Sequence, residues 1–319
     1  MTSRRSRGAR AVVTGAGSGI GRAFALELAR RGGRIVCADI DIDRAEETVA
    51  MIDADGRGKG IALFCDVAEI DDMRTLAGRA PDLLGGPTTL MINNAGVGIG
   101  GRCVGSIGLD DWTWALDINL RGMVLGSELF LPQLRSAGRG GLINVASAAA
   151  FSAAPGMGAY NVGKAGVLAL SETIAAELSG TDLAVTVLCP TFVKTNVAVD
   201  GRITGDAMKL AQTLMRYSGR SAEQVARSTL DANDRGRLYV VPQLDARALW
   251  LMKRLFPRTY TLGAGLLHRL APAIAAVDPE VLEPELLEPG VLEPGVSEHN
   301  SLASDAEIEA APTRIEEGV

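Results

Sequence analysis

Ala11-Val-Val-Thr-Gly-Ala-Gly-Ser-Gly-Ile-Gly-Arg22 is the stretch whose reading decides the fold. A β-branched apolar run leads into glycines at 15, 17, 19 and 21, and residues 19–31 then carry apolar side chains at helical spacing. Strand, glycine turn and helix start in that order suit a pyrophosphate: glycines let the backbone come close, and the unpaired amides of the first helical turn are the positive end of the helix dipole. Gly15, Gly19 and Gly21 follow G-x-x-x-G-x-G; the more familiar G-x-G-x-x-G would need glycine where Ile20 stands.

Outward from this unit, short β-branched runs alternate with helical stretches. Strands are predicted at 11–14, 34–38, 60–65, 89–93, 142–146, 184–189 and 238–241, and helices at 19–31, 44–54, 71–80, 112–136, 160–178 and 222–232. Such βαβ alternation predicts an α/β fold, a Rossmann-like doubly wound parallel sheet of about seven strands with helices on both faces and ligands beyond the carboxyl ends of the strands. Asp39 closes the second strand, where an acidic side chain can bond both ribose hydroxyls of an adenosine and repel a 2′-phosphate. NAD(H) is therefore expected over NADP(H), with Arg22 the one nearby charge arguing otherwise. Helix capping is the other use for Asp39, and Asp41 or Asp43 is better placed for it.

Tyr160-Asn161-Val162-Gly163-Lys164 sets a phenol and an ammonium one helical turn apart. A tyrosine that works near neutrality must titrate about three units, roughly 4 kcal/mol, below its ordinary value. A lysine charge about 4 Å away, at an effective dielectric of about 20, is of that order. The spacing alone is also that of an ordinary pair on a helix surface.

Composition sets the outer limits. With 319 residues, 47% hydrophobic and 22% charged, the chain suits one domain of about 250–280 residues plus appendages. Cys37, Cys65, Cys103 and Cys189 lie far apart without C-x-x-C spacing, which reads as reduced core thiols in a cytoplasmic protein. The only histidines, His268 and His299, come late, giving little support to a histidine triad or a zinc site, and no metal is expected. Residues 1–10 form a basic start without the apolar core of a signal peptide, and no run reaches the length of a membrane span. The net charge of −6 divides unevenly: residues 278–319 hold 12 acidic residues and one basic, against 31 basic and 26 acidic in 1–277. The acidic segment repeats Val281-Leu-Glu-Pro, Leu286-Leu-Glu-Pro and Val291-Leu-Glu-Pro and reads as a disordered or polyproline-like tail. Between the main domain, 11–245, and this tail, residues 246–277 read as an amphipathic extension: Ala248, Leu249, Met252, Leu255 and Phe256 fall at helical spacing beside Arg247, Lys253 and Arg254. Such a helix packs on its own domain, on a second subunit or on a membrane surface.

Taken together these motifs resemble the classical short-chain dehydrogenase/reductase family, over about residues 8–245. Thr14 through Gly21, with Ser18 and Ile20, matches the family's cofactor loop; Asp66-Val67 matches the pair that contacts adenine; Asn93-Asn94-Ala95-Gly96 matches the segment closing the fourth strand. The resemblance implies strand order 3-2-1-4-5-6-7 and a catalytic set of Asn119, Ser147, Tyr160 and Lys164. Ser147 would orient the substrate oxygen, Tyr160 transfer the proton, Lys164 hold the nicotinamide ribose and lower the phenol pKa, and Asn119 keep a water chain to solvent. Pro190, Val193 and Thr195 match the segment that holds the nicotinamide carboxamide. The family's glycine after Pro190 is replaced by Thr191, which restricts the backbone there and predicts slightly altered cofactor binding.

These implications make the chain an NAD-dependent oxidoreductase interconverting a secondary alcohol and a ketone. The substrate pocket is expected to draw Phe151, Met157, Phe192 and Met208, with few fixed charges, from 97–103, 148–157 and 192–215, the last within a long connection, 191–219, that includes a short helix near 207–215. A moderately apolar substrate is expected. The family pattern also implies a homodimer or homotetramer through 112–136 and 160–178; no nucleic acid partner is expected. The rival readings are a dinucleotide-binding regulator without turnover and a membrane-peripheral reductase held by 247–277.

Overall fold

Seven parallel strands form the centre of the computed structural model, which describes residues 4–191, 193, 201–205 and 220–270. They are β1 (Arg10–Thr14), β2 (Arg34–Asp39), β3 (Lys59–Phe64), β4 (Leu90–Asn93), β5 (Gly140–Val145), β6 (Leu183–Leu188) and β7 (Tyr239–Val240). Their order is β3-β2-β1-β4-β5-β6-β7, as the resemblance implies. Register pairs Val13 with Cys37, Val12 with Met91, and Ile92 with Ile143. The central strands are apolar because both faces are covered, so alternate residues feed two separate cores.

On one face α1 (Gly19–Arg30), α2 (Ile42–Asp55) and α8 (Ala222–Asp234) bring Phe24, Leu28, Ile52 and Val225 onto Val13, Cys37 and Ile92. On the other, α3 (Ile70–Leu84), α5 (Gly122–Ser136) and α7 (Gly158–Glu177) bring Leu76, Phe130 and Ile174 onto Val12, Met91 and Leu142. Phe24 and Phe130 are wholly buried, one in each core; truncating either to alanine would cost about 3–5 kcal/mol.

Local structure departs from the sequence reading in four places. The helix expected over 112–136 is three pieces: α4 (Leu109–Leu116), a π-helical turn (Asp117–Arg121) and α5. Residues 4–9, expected as a basic N-terminal tail, are tied to the domain: the Ser6 amide and hydroxyl donate to the two carboxylate oxygens of Asp234 at 2.8 and 2.7 Å. Two short strands, Ile99–Gly100 and Arg202–Ile203, pair outside the main sheet. Finally, the extension is two helices, α9 (Leu244–Leu255) and α10 (Pro257–Leu270), tied back to the domain. Phe151, in the four-residue helix α6 (Ala149–Ser152), stacks on Trp250 at 5.6 Å, and the Tyr260 hydroxyl donates to the Ser152 carbonyl at 2.7 Å. Phe192, Thr195, Met208, the helix expected at 207–215 and residues 271–319 lie outside the described residues.

Three of the four cysteines, Cys37, Cys65 and Cys189, are buried, and all four are free thiols. No helix among the described residues is long and apolar enough to cross a membrane.

Candidate active site

The end of β1 turns sharply at the glycine motif and β4 locks that turn in place. Thr14 Oγ1 accepts from the Asn94 and Ala95 amides at 3.0 and 3.2 Å, while Asn94 Nδ2 donates to the carbonyls of Thr14 and Gly15 at 2.9 and 3.1 Å. Gly21 cannot be replaced without breaking this turn, since a Cβ there would overlap the Gly15 carbonyl. Helix α1 begins at Ser18 with no side-chain cap and no acid in its first turn. Helices α2 and α8, by contrast, are capped by Asp41 and Ser221. The uncapped N-terminus of α1, reached through the glycine turn at the carboxyl end of β1, fits a pyrophosphate.

Asp39 ends β2 beside the same turn. Its Oδ2 accepts from the Gly17 amide at 2.7 Å and its Oδ1 from the Asp41 amide at 3.0 Å, which fixes a negative charge against the glycine loop and leaves lone pairs on both oxygens. Asp41, not Asp39, caps α2, accepting from the Arg44 amide at 3.1 Å. The Arg22 guanidinium is held by Glu47 at 2.9 Å and by Thr48 at 3.0 Å, and Arg44 pairs with Asp41 at 3.1 Å. At the end of β3, Asp66 accepts from the Ala68 amide at 2.9 Å and its own amide donates to Asp72 at 2.9 Å; Val67 is buried against Gly122.

Asn119, Lys164 and Gly96 meet at the carboxyl ends of β4 and β5. The π-helical turn aims the buried Asn119 carboxamide at the backbone of Val97, accepting from its amide at 3.1 Å and donating to its carbonyl at 2.9 Å. Lys164 is only 3% exposed and its Nζ donates to the Val145 carbonyl at 3.1 Å. Gly96 is required between them: a Cβ there would lie 2.9 Å from Asn119 Oδ1 and 3.1 Å from Lys164 Nζ.

Tyr160 is half-buried one turn before Lys164, whose Nζ lies 5.8 Å from the phenol ring centroid. Ser147, just past β5, accepts from the Ala149 amide at 3.2 Å, and its hydroxyl lies 3.5 Å from the Pro190 carbonyl. Burial raises the Tyr160 pKa above its ordinary value and a hydrogen bond with Ser147 works against that rise. Burial also pushes Lys164 down to about 8, opposed in part by Cys189. The expectation that the Lys164 charge lowers the phenol is thus not met by the protein's own groups. Desolvation penalises both charged forms, and it is the largest cause for each.

The substrate side differs more from the reading. Phe151 does not line an open pocket; it is 7% exposed and packed on Trp250. Met157 is half-buried at the start of α7, bridged to Arg102. Nor is the region poor in charge: Asp111 binds both Arg102, at 3.0 Å, and Arg202, at 2.5 Å, and Arg202 lies 4.2 Å from the Trp114 ring centroid. Pro190 and Val193 are buried. Thr191 gives its amide to Gln243 Oε1 at 3.2 Å, and its hydroxyl is buried without a hydrogen-bond partner among the described residues.

Sequence reasoning missed the polar line below the site. Asn93 Nδ2 donates to Asn144 Oδ1 at 2.9 Å and Asn144 Nδ2 to Ser171 Oγ at 3.0 Å, all buried. Two asparagines in apolar strands, Asn93 the last residue of β4 and Asn144 the last but one of β5, which pair in register, were the available signal. Among the described residues no group of acids, cysteines and histidines could hold a metal ion.

Sheet order, glycine turn and buried polar set define a nucleotide-binding oxidoreductase with a Rossmann-like fold. A family model described as short chain dehydrogenase matches residues 9–204, and the chain belongs to that family. It is 35% identical to 1-deoxy-11-beta-hydroxypentalenate dehydrogenase of Streptomyces exfoliatus, over 74% of this chain and 84% of that one. It is 37% identical to "Probable oxidoreductase EphD" of Mycobacterium tuberculosis over 58% of its own length, a match that spans 31% of the relative. Among solved structures, a short chain dehydrogenase/reductase from Burkholderia phymatum in complex with NAD superposes with a TM-score of 0.73 at 31% identity, covering 78% of this chain and 94% of that one.

Proposed function

We propose that this chain is an NAD(H)-dependent oxidoreductase that interconverts a secondary alcohol and a ketone on a moderately apolar small molecule. The observation that carries the reading is the convergence of Asn119 and Lys164 on Gly96, with Tyr160 one helical turn from Lys164 and Ser147 just past the end of β5. In the reductive direction Ser147 donates to the substrate carbonyl and holds it at the Tyr160 hydroxyl, which gives up its proton as the oxygen gains charge; in oxidation the phenolate takes the alcohol proton. Lys164 holds the nicotinamide ribose, and burial brings its pKa down to about 8. Asn119 fixes the backbone at Val97 and keeps a water route between Lys164 and solvent. The nicotinamide, when bound, supplies or accepts the hydride.

NAD over NADP is supported by the Asp39 charge at the glycine loop and by the ion pairing of both nearby arginines, Arg22 and Arg44. The α1 N-terminus holds the pyrophosphate, and Asp66, Val67, Asn94, Ala95, Gly96, Pro190, Val193 and Thr195 complete the dinucleotide groove. Homo-oligomers form through α5 and α7, which light scattering measures directly. The reaction is tested by screening secondary alcohols and ketones with NAD(H) and NADP(H) against Tyr160→Phe as control. Turnover by the variant at the parent rate would overturn the mechanism.

A further inference from the structure

We infer that the α9–α10 hairpin is a docking surface for an anionic lipid bilayer, lying on the membrane beside the substrate loops. Its side chains are exposed where a folded domain ordinarily buries them. No residue of α10 is buried and in α9 only Ala246 is, while Leu251, Leu255, Phe256, Leu262, Leu267 and Leu270 are each 59–71% exposed. Leu262, Leu266 and Leu270 recur every four residues and Leu251 and Leu255 repeat that interval, which gives each helix an apolar stripe. Scattered exposed leucines need no explanation, but two such stripes on consecutive helices do.

Charge selects the occupant. The hairpin, residues 244–270, contains Arg247, Lys253, Arg254, Arg258 and Arg269 against a single acid, Asp245, at its start. Arg254, Arg258 and Arg269 are exposed. Two copies of this face would bring like charges together, whereas a surface of acidic headgroups neutralises them as the leucines enter the acyl boundary. Neither helix can span the bilayer, so the hairpin lies in the interface plane. It is held to the loops around the site by Phe151 on Trp250, by Tyr260 on Ser152, and by His268 Nε2, 3.6 Å from Cys103 Sγ. A bound enzyme would therefore present its substrate loops to the lipid, where apolar substrates partition.

The test is co-sedimentation of the full chain with extruded vesicles of phosphatidylcholine alone, or with about 30% phosphatidylglycerol, at low and high salt. The full chain is the sample because its acidic segment begins only at Asp278. Binding to the anionic vesicles, weakened by salt and absent from neutral ones, is expected. Arg254→Gln/Arg258→Gln/Arg269→Gln should weaken it on the order of 100-fold, and Leu255→Gln/Leu262→Gln/Leu266→Gln should remove it while circular dichroism stays that of the parent. Equal pelleting with and without vesicles overturns the inference. So does a leucine variant that leaves vesicle binding intact, or one that converts a dimer to a monomer in light scattering without changing sedimentation, which would make a second copy the occupant.

Discussion

Asn119 holds Val97 by both of its backbone groups, accepting at 3.1 Å and donating at 2.9 Å from within a π-helical turn. A carboxamide is the side chain that can do both at once. Asn119→Leu keeps the volume and leaves the half-buried N–H and C=O of Val97 without this partner, at up to about 1–3 kcal/mol for each group. The variant should melt several degrees lower and lose more than about tenfold in kcat, with cofactor affinity changed less than turnover. Parent-like kcat in a destabilised variant would reduce Asn119 to a structural role.

Tyr160→Phe removes a single hydroxyl from a half-buried ring. Loss of a general acid/base of this kind lowers kcat by about 10²–10⁴. Burial penalises the ionised phenol, so the folded state is not expected to suffer, and melting should stay within about 1 kcal/mol of the parent. Titration of NADH fluorescence should give an unchanged Kd; a parallel loss of cofactor binding would mean that the ring positions the dinucleotide.

Asp39→Ala tests the cofactor preference. The variant loses the repulsion toward a 2′-phosphate together with the acceptors for the Gly17 and Asp41 amides, about 1 kcal/mol for each hydrogen bond. The ratio of kcat/KM for NAD over NADP should fall at least about tenfold, which is 1.4 kcal/mol of discrimination. An unchanged ratio would take Asp39 out of that role and turn attention to the arginine pairs beside it.

What the sequence made legible was local. The glycine turn, the strand before it and the helix after it are contiguous, and Tyr160 and Lys164 are neighbours by helical period alone, so both could be read from spacing. The π-helical turn had no such mark, and the partner of its Asn119 carboxamide, Val97, lies 22 residues away in sequence. The charged cluster at Asp111 joins Arg202 across 91 residues, and Cys103 meets His268 across 165. Phe151 reads as a pocket residue from its place after Ser147, but its partner Trp250 comes from a segment beyond the family pattern. Pairings of this length are set by tertiary packing, to which hydrophobic period is blind.

Lys164 gives a stability prediction with a definite sign. Its pKa falls from 10.5 unfolded to about 8 folded, so between these values the unfolded chain binds more protons and stability rises with pH. Below pH 8 the buried ammonium opposes folding by up to about 3 kcal/mol. Lys164→Met should therefore be more stable than the parent at pH 7, by less than this limit because the bond to Val145 is lost, and the gap should close as the pH approaches 10. Denaturant titrations at pH 7, 8.5 and 10 measure it; a constant difference would remove the titration of Lys164 from the account.

The thiols run the opposite way. Burial pushes Cys37, Cys65 and Cys189 from 9 up to about 12, so each favours the folded state fully below pH 9 and loses that contribution as the pH climbs toward 12. Above pH 9 the folded chain should weaken by about 1.4 kcal/mol per pH unit for each thiol that ionises on unfolding. Cys103 is half-buried, so an aromatic disulfide reagent at pH 8 should label one thiol quickly and the other three only at the rate of unfolding. Replacing the three buried cysteines by alanine should flatten the alkaline limb of the stability profile. If the limb keeps its slope, its origin lies in tyrosines such as Tyr239, whose pKa burial and Glu172 raise to about 12, and Tyr239→Phe would then remove it.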